Sequence, residues 1–322
     1  MRATGSSADT AVAPVGFALP GVLDIDAGSA LTVLERVADA GLGPVLCTEV
    51  CGFSASGLAA ALAARRPGRT VGTAIMPLGS RSDATIAMAA ATGAQIARAP
   101  YFLGVGTSSP QITNDWHDAA YDPRLATTRS RLERLRAMLD GDRRGSFRLP
   151  VPPGDEVRLL LAALGPRMTA LAFDAADGVI VNHTPPGQVP DAPPGAHVLA
   201  FVWVAATSDQ VHVRRSLVTY VMARPYARHF RRLGFGAAVD RVQALYASGR
   251  LREAPAVLPA EMVDALSTDP EDLGHRCAAY RAAGALPIVV PVTGDDPISE
   301  IGHLLATRAW EPPDGSGSPV PA

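Results

Sequence analysis

Apolar runs recur along the chain, and segments with a helical repeat separate nearly all of them. Runs of this kind that end at Gly, Pro or polar residues are typical of buried strands. Eight runs are predicted strands: 15–19, 44–50, 70–75, 101–107, 157–164, 178–182, 197–206 and 286–292. The alternation of strands with helices predicts parallel βα units.

Helical segments lie between these strands. Apolar residues recur at helical spacing in the first of them, at Leu31, Leu34, Val37 and Ala38. Ser82 or Asp83 is a natural helix cap, and Pro123 suits a first helical turn. The predicted helical segments are 27–43, 54–68, 82–99, 123–142, 165–177, 271–284 and 296–310. A mostly helical region is also predicted from 208 to 266, after a Pro- and Gly-rich stretch at 184–195.

Eight βα units in 322 residues predict an α/β fold, a (β/α)8 TIM barrel with insertions. An open, doubly wound sheet is the competing fold. It would place a glycine fingerprint after its first strand, and "VGFALPGVLD" lacks one. We expect a single barrel domain over 13–310, with a flexible N-terminus at 1–12 and a disordered tail at 311–322.

Composition and charge exclude several classes of function. The net charge is −2, without a long basic block, which argues against nucleic acid as a partner. No run reaches the ~18 apolar residues of a membrane-spanning helix, and the N-terminal segment lacks a signal-peptide core. All basic residues are arginine, which excludes a lysine Schiff base or a P-loop lysine. Three cysteines, Cys47, Cys51 and Cys277, argue against a disulfide scaffold and for a reducing cytoplasm.

The loop after the fourth strand reads "GVGTSSP", at 104–110. In a parallel barrel, binding and catalytic residues lie where strands end and loops begin, so this loop is predicted to face the barrel mouth. It is not a dinucleotide fingerprint, because the third glycine is missing, no helix follows directly and Pro110 interrupts the segment. A tight βα turn without a ligand is the alternative interpretation.

Several segments resemble the bacterial luciferase-like superfamily, in particular its members that use the deazaflavin coenzyme F420. They are "LGVGTSSPQITNDWHDAAYDPRLATTRSRLERLRAML", "LAALGPRMTALAFDAADGVIVN" and, more loosely, "YARHFRRLGF" and "HRCAAYRAAGALPIVVPV". The resemblance implies a (β/α)8 barrel with a cofactor across its C-terminal mouth, F420 or alternatively FMN. It also implies a cis peptide bond in strand three, which would be Ala74–Ile75 here.

The resemblance further implies which residues hold this cofactor. Those expected near the ring and the ribityl chain are Ala74, Ile75, Thr107, Ser108 and Ser109. Those expected at the phosphate are Ala163, Leu164, Gly165, Pro166 and Arg167. Gly165 and Pro166 begin a helix, so free N–H groups and the positive end of the helix dipole would point at an anion. Arg167 either adds charge there or is a solvated side chain of the first turn.

The chain departs from the deazaflavin sugar dehydrogenases of this superfamily at their acid–base pair. Those enzymes carry a histidine after strand two and an acidic residue after strand four, positions close to Val50 and Thr107 here. Sugar or alcohol oxidation is therefore not expected. Reduction of an activated C=C or C=N bond needs hydride delivery and one proton donor. Candidate donors are Glu49, His117 and His183, or ordered water.

Each candidate donor also has a structural interpretation. Trp116 and His117 are favoured as a pair that packs the loop. Glu49 is more often a hydrogen-bond acceptor at a barrel mouth, and His183 lacks a partner in the sequence.

Other reactive or charged side chains are given structural roles as well. Cys47 and Cys51 are interpreted as small buried side chains, and no metal site is expected. Arg214, Arg215 and Arg224 either form a solvated or oligomer-facing surface or reach the anionic tail of the cofactor.

The function expected from the sequence is reduction of a metabolite or a modified peptide by reduced F420, in a cytoplasmic homodimer that binds neither nucleic acid nor membrane. A luciferase-like monooxygenase that uses reduced FMN and O2 is the second hypothesis. A barrel that has lost catalysis and serves as a binding protein is the third.

Overall fold

Eight parallel strands form a closed barrel in the order of the chain. The computed structural model describes residues 15–206 and 210–311. The strands are β1 Gly16–Leu19, β2 Val45–Cys47, β3 Val71–Pro77, β4 Tyr101–Gly106, β5 Val157–Ala162, β6 Gly178–Val181, β7 His197–Ala205 and β8 Leu286–Val292. The predicted (β/α)8 barrel is confirmed, and each predicted strand overlaps an observed one.

Twelve α-helices lie within the described residues. The first five each follow the strand of the same number: α1 Ala27–Asp39, α2 Ala55–Arg65, α3 Asp83–Ala97, α4 Leu125–Leu139 and α5 Pro166–Ala175. The others are α6 Val211–Met222, α7 Arg224–Arg232, α8 Gly236–Ala247, α9 Ala254–Val257, α10 Ala260–Leu266, α11 Leu273–Ala282 and α12 Pro297–Thr307. Helices α1 to α5, α11 and α12 bury apolar side chains against the outside of the barrel.

The strands bury apolar side chains on both faces, in one layer beneath the helices and another around the barrel axis. Alternate residues of a strand point to opposite faces, so Leu159 and Leu161 of β5 face the helices while Leu160 faces the barrel axis. All three are fully buried. Burial of one leucine side chain stabilises the fold by about 1.5–3 kcal/mol, so a shift of β5 by one residue would be costly.

Two connections depart from a regular repeat. Strands β6 and β7 are joined without an α-helix, through a 3₁₀ turn at Pro186–Gln188. The region predicted as mostly helical after β7 consists of five helices, α6 to α10, around a second apolar core; its predicted first residues, 208–209, lie outside the described residues. Ala205, at the C-terminal end of β7, belongs to this second core, and Val292, at the C-terminal end of β8, packs against it. These helices therefore cover part of the barrel mouth.

Strand β2 is shorter than predicted, because it ends at Cys47 rather than at residue 50. Just past its end, the Thr48 hydroxyl donates a hydrogen bond to the Leu19 carbonyl at the end of β1, at 2.7 Å. The next residues form a loop that leads into α2. The predicted strand continues to residue 50 because Val50 is apolar and follows the strand residues closely in the sequence.

The predicted terminal segments fall mainly outside the described residues. This applies to 1–12 and to all of the predicted tail except Glu311, whose carboxylate pairs with Arg308 at 2.5 Å. The domain boundaries at 13 and 310 stay a prediction. No helix within 15–206 or 210–311 combines the length and the apolar character needed to cross a membrane.

Candidate active site at the barrel mouth

The C-terminal ends of the strands bring most of the expected site residues onto one rim. Parallel strands all end on the same side of a barrel, so the loops that follow them meet there. The expected residues on this rim are Glu49, Ala74, Ile75, Thr107, Ser108, Ser109, Ala163, Leu164, Gly165, Pro166, Arg167 and His183. His117 lies farther along the loop after β4, at the end of a π-helix at Gln111–Trp116.

Strand β3 is irregular at the position expected for the cofactor ring. The Ala74–Ile75 peptide bond is cis, which confirms that prediction. The pairing of β3 with β4 shifts register between Thr73 and Met76. The half-buried Ile75 side chain lies with its Cδ1 3.1 Å from the point where a Cβ on Gly106 would sit. A glycine at position 106 therefore leaves room for Ile75 at the rim.

The loop after β4 presents hydroxyl groups at the rim. Thr107, Ser108 and Ser109 are half-buried, and Ser108 has a positive φ of 61°. The Ser109 hydroxyl accepts a hydrogen bond from the Ile112 amide at 3.3 Å. Pro110 has helical dihedral angles and is the N-cap residue of the π-helix. Short π-helices are frequent at functional sites.

Trp116 and His117 do not anchor this loop. Trp116 is 44% exposed and His117 is exposed as well, so the favoured packing role of the pair is wrong. Thr113 is the buried residue of the π-helix, and its carbonyl accepts from the Ala119 amide at 3.0 Å. Among the described residues, no hydrogen bond or ion pair holds the His117 ring. The ring is therefore accessible to solvent and to a ligand.

Helix α5 begins on the rim without a side-chain cap. Its N-cap residue is Gly165, and Pro166 at the start of the helix has no N–H. The Met168 and Thr169 amides bond to the Gly165 carbonyl, at 3.0 and 2.9 Å. Within the described residues, the Arg167 amide of the first turn has no hydrogen-bond acceptor. Free amides at a helix start, where the dipole is positive, favour an anion.

An arginine from another element faces this helix start. Arg232, the last residue of α7, donates from Nη2 to the Leu164 carbonyl at 2.5 Å. The same nitrogen lies 3.5 Å from the point where a Cβ on Gly165 would sit. The guanidinium and the helix dipole therefore place positive charge on the same side of Gly165. Arg232 could not be identified from the sequence, because no local pattern shows that α7 packs on the loop after β5.

The arginines suggested for the cofactor tail lie elsewhere. Arg214 donates to the Leu258 and Pro255 carbonyls, at 2.7 and 3.3 Å, and so joins α6 to the end of α9. The hypothesis that Arg214 reaches an anionic tail is therefore wrong. Arg215 and Arg224 are exposed, as the solvated interpretation predicts.

Buried His229 on α7 connects two rim loops. Its Nδ1 lies 3.1 Å from the Leu164 carbonyl oxygen, after β5, and its Nε2 lies 2.9 Å from the His183 carbonyl oxygen, after β6. Burial lowers the pKa of His229, and the Arg232 guanidinium acts in the same direction. The two carbonyl contacts oppose this shift.

Glu49 is buried and accepts hydrogen bonds with both oxygens. The Ala55 amide at the start of α2 donates to Oε2 at 2.9 Å, and Arg81 Nη2 donates to the same oxygen at 3.0 Å. Arg81 Nη1 pairs with Oε1. Arg131 of α4 donates to the Arg81 carbonyl at 2.6 Å and extends the network. Glu49 thus joins the loops after β2 and β3, in agreement with the acceptor role weighed against that of a proton donor.

His183 lies inside a group of side chains that we call the aromatic cluster: Trp203, Tyr220, Tyr226 and Phe230. Its ring stacks on Trp203 at a centroid distance of 4.9 Å. Burial lowers the pKa of His183 to about 3, so the ring is neutral near pH 7. Within the described residues, neither ring nitrogen has a hydrogen-bond partner. A neutral, enclosed imidazole is a poor acid, so the geometry favours a packing role for His183.

The aromatic cluster covers the mouth above β6 and β7. Asn182 accepts from Trp203 Nε1 at 2.6 Å and donates to the Tyr226 hydroxyl at 2.8 Å, which fixes both rings. Trp203 belongs to the inner core of the barrel, and Tyr220 packs against that core. Above β3, β4 and β5 the rim residues Ile75, Thr107 and Leu164 are half-buried, and we call this partly exposed part the open rim.

A histidine that the sequence did not single out lies near the end of β8. A Cβ on Gly294 would sit 3.0 Å from His212 Nε2 and 3.1 Å from Glu300 Oε1. The Gly294 amide donates to the other Glu300 oxygen at 2.7 Å. His212 and Glu300 come from α6 and α12, so no local spacing shows that both lie beside Gly294.

The cysteines take ordinary structural positions. Cys47 is buried and Cys51 is exposed, so only the first fits the interpretation as a small core side chain. Burial raises the pKa of the Cys47 thiol to about 12. In the part of the chain that the structure describes, no group of three His, Cys, Asp or Glu side chains is arranged to hold a metal ion.

Known proteins with the same architecture include F420-dependent enzymes. A Mycobacterium tuberculosis protein, provisionally named as a coenzyme F420-dependent oxidoreductase, is 25% identical over 317 residues, which cover 83% of this chain and 91% of the relative. The F420-dependent tetrahydromethanopterin reductase of Methanopyrus kandleri superposes with a TM-score of 0.73 at 18% identity, over 91% of this chain and 97% of that one. An F420-dependent secondary alcohol dehydrogenase, solved with an F420–acetone adduct, gives a TM-score of 0.68 at 14% identity, over 92% and 99%.

Family membership follows from the sequence match. At 18% and 14% identity, the two solved structures show that the fold is shared, and no more than the fold. The model of the family described as luciferase-like monooxygenase matches residues 10–286, which is most of the chain. The chain therefore belongs to the luciferase-like monooxygenase family.

Proposed function

We propose that the protein is an F420-dependent oxidoreductase that works as a reductase. Reduced F420 would be the hydride donor, and an activated C=C or C=N bond of a metabolite or a modified peptide would be the acceptor. The observation that carries the proposal is the uncapped start of α5 at Gly165, faced by Arg232, beside an open rim of apolar and hydroxyl groups. The mycobacterial relative and the two solved structures described above are F420-dependent by name, which supports F420 as the cofactor.

The residues of the open rim fit the parts of a deazaflavin cofactor. Ile75, next to Ala74 on the cis bond, offers an apolar contact to a flat ring, and Thr107 and Ser108 offer hydroxyl groups. The free Arg167 amide and the Arg232 guanidinium suit a phosphate group. A deazaflavin bound there supplies the hydride, and the protein binds and orients the reactants.

The titratable groups at the rim favour reduction over alcohol oxidation. Glu49 is ion-paired with Arg81, and His183 is neutral and enclosed, so neither offers a free base to an alcohol. Reduction of a double bond requires one proton donor instead. We assign that role to His117, which is exposed and has no partner among the described residues.

A flavin-dependent monooxygenase is the second candidate function. The description of the family itself supports it. The anion site at Gly165 does not separate the two, because FMN also carries a phosphate. The choice of cofactor is therefore a matter for binding measurements.

Titration of the protein with oxidised F420 and with FMN tests the proposal. Intrinsic fluorescence of Trp116 and Trp203 reports binding, because Trp116 is 44% exposed on the loop after β4 and Trp203 lies in the aromatic cluster beside the open rim. Binding of F420 in preference to FMN, with oxidation of reduced F420 by an enone or imine acceptor, would support the reductase. Preference for FMN with O2 consumption would support the monooxygenase. Binding of neither cofactor by the folded protein would favour the non-catalytic barrel.

We also propose a homodimer as the assembly. The exposed arginines Arg215 and Arg224 are a candidate subunit-facing surface. Light scattering on the purified protein gives the mass, and a monomer at micromolar concentration would rule the dimer out.

A further inference from the structure

His229 lies between two carbonyl oxygens that can only accept hydrogen bonds. Its Nδ1 is 3.1 Å from the Leu164 oxygen, and its Nε2 is 2.9 Å from the His183 oxygen. A neutral imidazole carries one N–H and can satisfy only one of them, whereas an imidazolium carries two. The third neighbour, the Thr184 hydroxyl at 3.3 Å from Nε2, is placed to donate to the Asn182 carbonyl instead. A protonated ring could donate to both carbonyls, whereas a neutral ring with its proton on Nε2 would donate to the His183 oxygen and accept at Nδ1 from Arg232 Nη2, 3.4 Å away.

Two features oppose that protonation in the free protein. His229 is only 5% exposed, and Arg232 Nη2 lies 3.4 Å from its Nδ1. Burial first, and the guanidinium charge second, hold the pKa of His229 below its ordinary value. From the loop after β6, the His183 backbone carbonyl acts in the opposite direction and raises the pKa of His229, and the His183 ring is itself neutral near pH 7. No carboxylate of the described residues contributes to the pKa of His229.

An anion at the start of α5 would reduce the effect of the Arg232 charge on the pKa of His229. Gly165 follows Leu164 directly, and Arg232 contacts the Leu164 carbonyl and faces Gly165. A negative charge held by the Arg167 amide and the Arg232 guanidinium would offset the positive charge that acts on His229. Such charge effects are strong where solvent is partly excluded.

We infer that His229 takes up a proton when an anion binds at the start of α5, so that the anion and the proton bind together. The proton comes from solvent and converts the neutral imidazole to imidazolium, without covalent change in the anion. The inference rests on the proposed function for the identity of the anion, the phosphate-bearing tail of F420. It goes beyond that function by naming a proton that accompanies the cofactor.

Proton uptake gives His229 a role as a positioning residue. As an imidazolium, it donates to the Leu164 and His183 carbonyls at the same time, and so holds the loops after β5 and β6 against α7. The affinity for the anion is highest at low pH. As the pH rises from the pKa of His229 in the free protein to its higher pKa in the complex, the affinity for the anion falls by up to roughly tenfold per pH unit.

Histidine NMR on the full chain tests this inference. The ring signals are followed against pH in the free protein, with saturating oxidised F420, and with sulfate against chloride at matched ionic strength. The variant His229→Gln assigns the signal. We expect the pKa of His229 to rise by about one unit or more with either anion, and calorimetry in two buffers to show uptake of up to about one proton per F420 bound.

Two arginine variants separate the proposed cause from a general charge effect. Arg232→Gln removes the charge next to Nδ1, so it should raise the pKa of His229 in the free protein and reduce the shift caused by an anion. Arg231→Gln removes the same charge from the same helix, but Arg231 pairs with Asp240 at 2.6 Å instead. It should leave the titration of His229 unchanged.

The outcomes distinguish the inference from the proposed function. If F420 binds and the titration of His229 does not move, the inference is overturned and the proposed function stands. If sulfate moves the titration but F420 does not bind, the inference stands and the proposed function is overturned. If neither anion binds, both are overturned.

Discussion

Replacement of Gly165 by Asp tests the anion site at little cost to the fold. Gly165 is the N-cap of α5 with φ of −133° and ψ of 155°, a region open to any residue. Asp is among the preferred N-cap residues, and relative to Gly it stabilises a helix by a few tenths of a kcal/mol. We therefore expect Gly165→Asp to melt at the wild-type temperature or slightly above it.

The loss of cofactor affinity should be large. The Cβ of the new side chain would sit 3.5 Å from Arg232 Nη2, so the carboxylate would pair with the guanidinium that the phosphate needs. A charge-assisted hydrogen bond contributes about 1.5–3 kcal/mol, and two like charges about 4 Å apart repel by about 4 kcal/mol at an effective dielectric constant of 20. These effects overlap, so we expect a loss of about 3 kcal/mol or more, which is at least a hundredfold in dissociation constant by the usual conversion of about 1.4 kcal/mol per tenfold.

The matched control is Gly165→Asn, which has nearly the same size and no charge. Fluorescence titration with oxidised F420 gives the dissociation constants of both variants, and thermal unfolding checks the fold. We expect Asp to bind at least tenfold more weakly than Asn, because most of the effect is electrostatic. Equal affinities of the two folded variants would refute the placement of a phosphate at Gly165.

Three further predictions concern other parts of the rim. Glu49→Gln breaks the buried pair with Arg81 and should lower the free energy of unfolding by about 2 kcal/mol in urea, and an unchanged midpoint would show that the pair contributes little. The pKa of His183 is about 3 in the folded protein, below its ordinary value of 6.5. Between these two pH values the unfolded chain binds a proton at His183 and the folded chain does not, so the free energy of unfolding decreases as the pH drops from 6.5 to 3. As the pH drops through this window, the free energy of unfolding of His183→Phe should decrease less than that of the wild type. The same pH dependence in both proteins would contradict the assignment of His183 as a neutral ring. His117→Gln should lower kcat by about a hundredfold without weakening F420 binding. If His212→Gln lowers kcat and His117→Gln does not, the proton donor lies near β8 instead.

The barrel could be predicted from the sequence because its signal is local. Each strand is a short apolar run, and 286–292 coincides with β8. The error at β2 has a physical cause. Glu49 lies outside the sheet, where it accepts a hydrogen bond from the Ala55 amide of α2, while its neighbour Val50 keeps the apolar appearance of a strand. The succession of five helices after β7 was predicted only as one helical region, because the breaks between helices depend on tertiary packing.

Part of the rim could also be predicted, because parallel strands bring their loop residues to one end of the barrel. The positions of Ile75, Thr107 and Gly165 follow from this rule. Arg232 and His229 could not be found in the same way, because they reach the rim from α7, more than sixty residues after the loop that they contact. Nor does any local pattern show that an aromatic cluster covers the mouth above β6 and β7.

The most direct test of the account is a crystal structure of the protein with oxidised F420. The account predicts the ring over Ala74–Ile75 in the open part of the mouth, with the phosphate within hydrogen-bond distance of the Arg167 amide and the Arg232 guanidinium. A cofactor whose phosphate lies away from the start of α5, or whose ring displaces the aromatic cluster above β6 and β7, would contradict it.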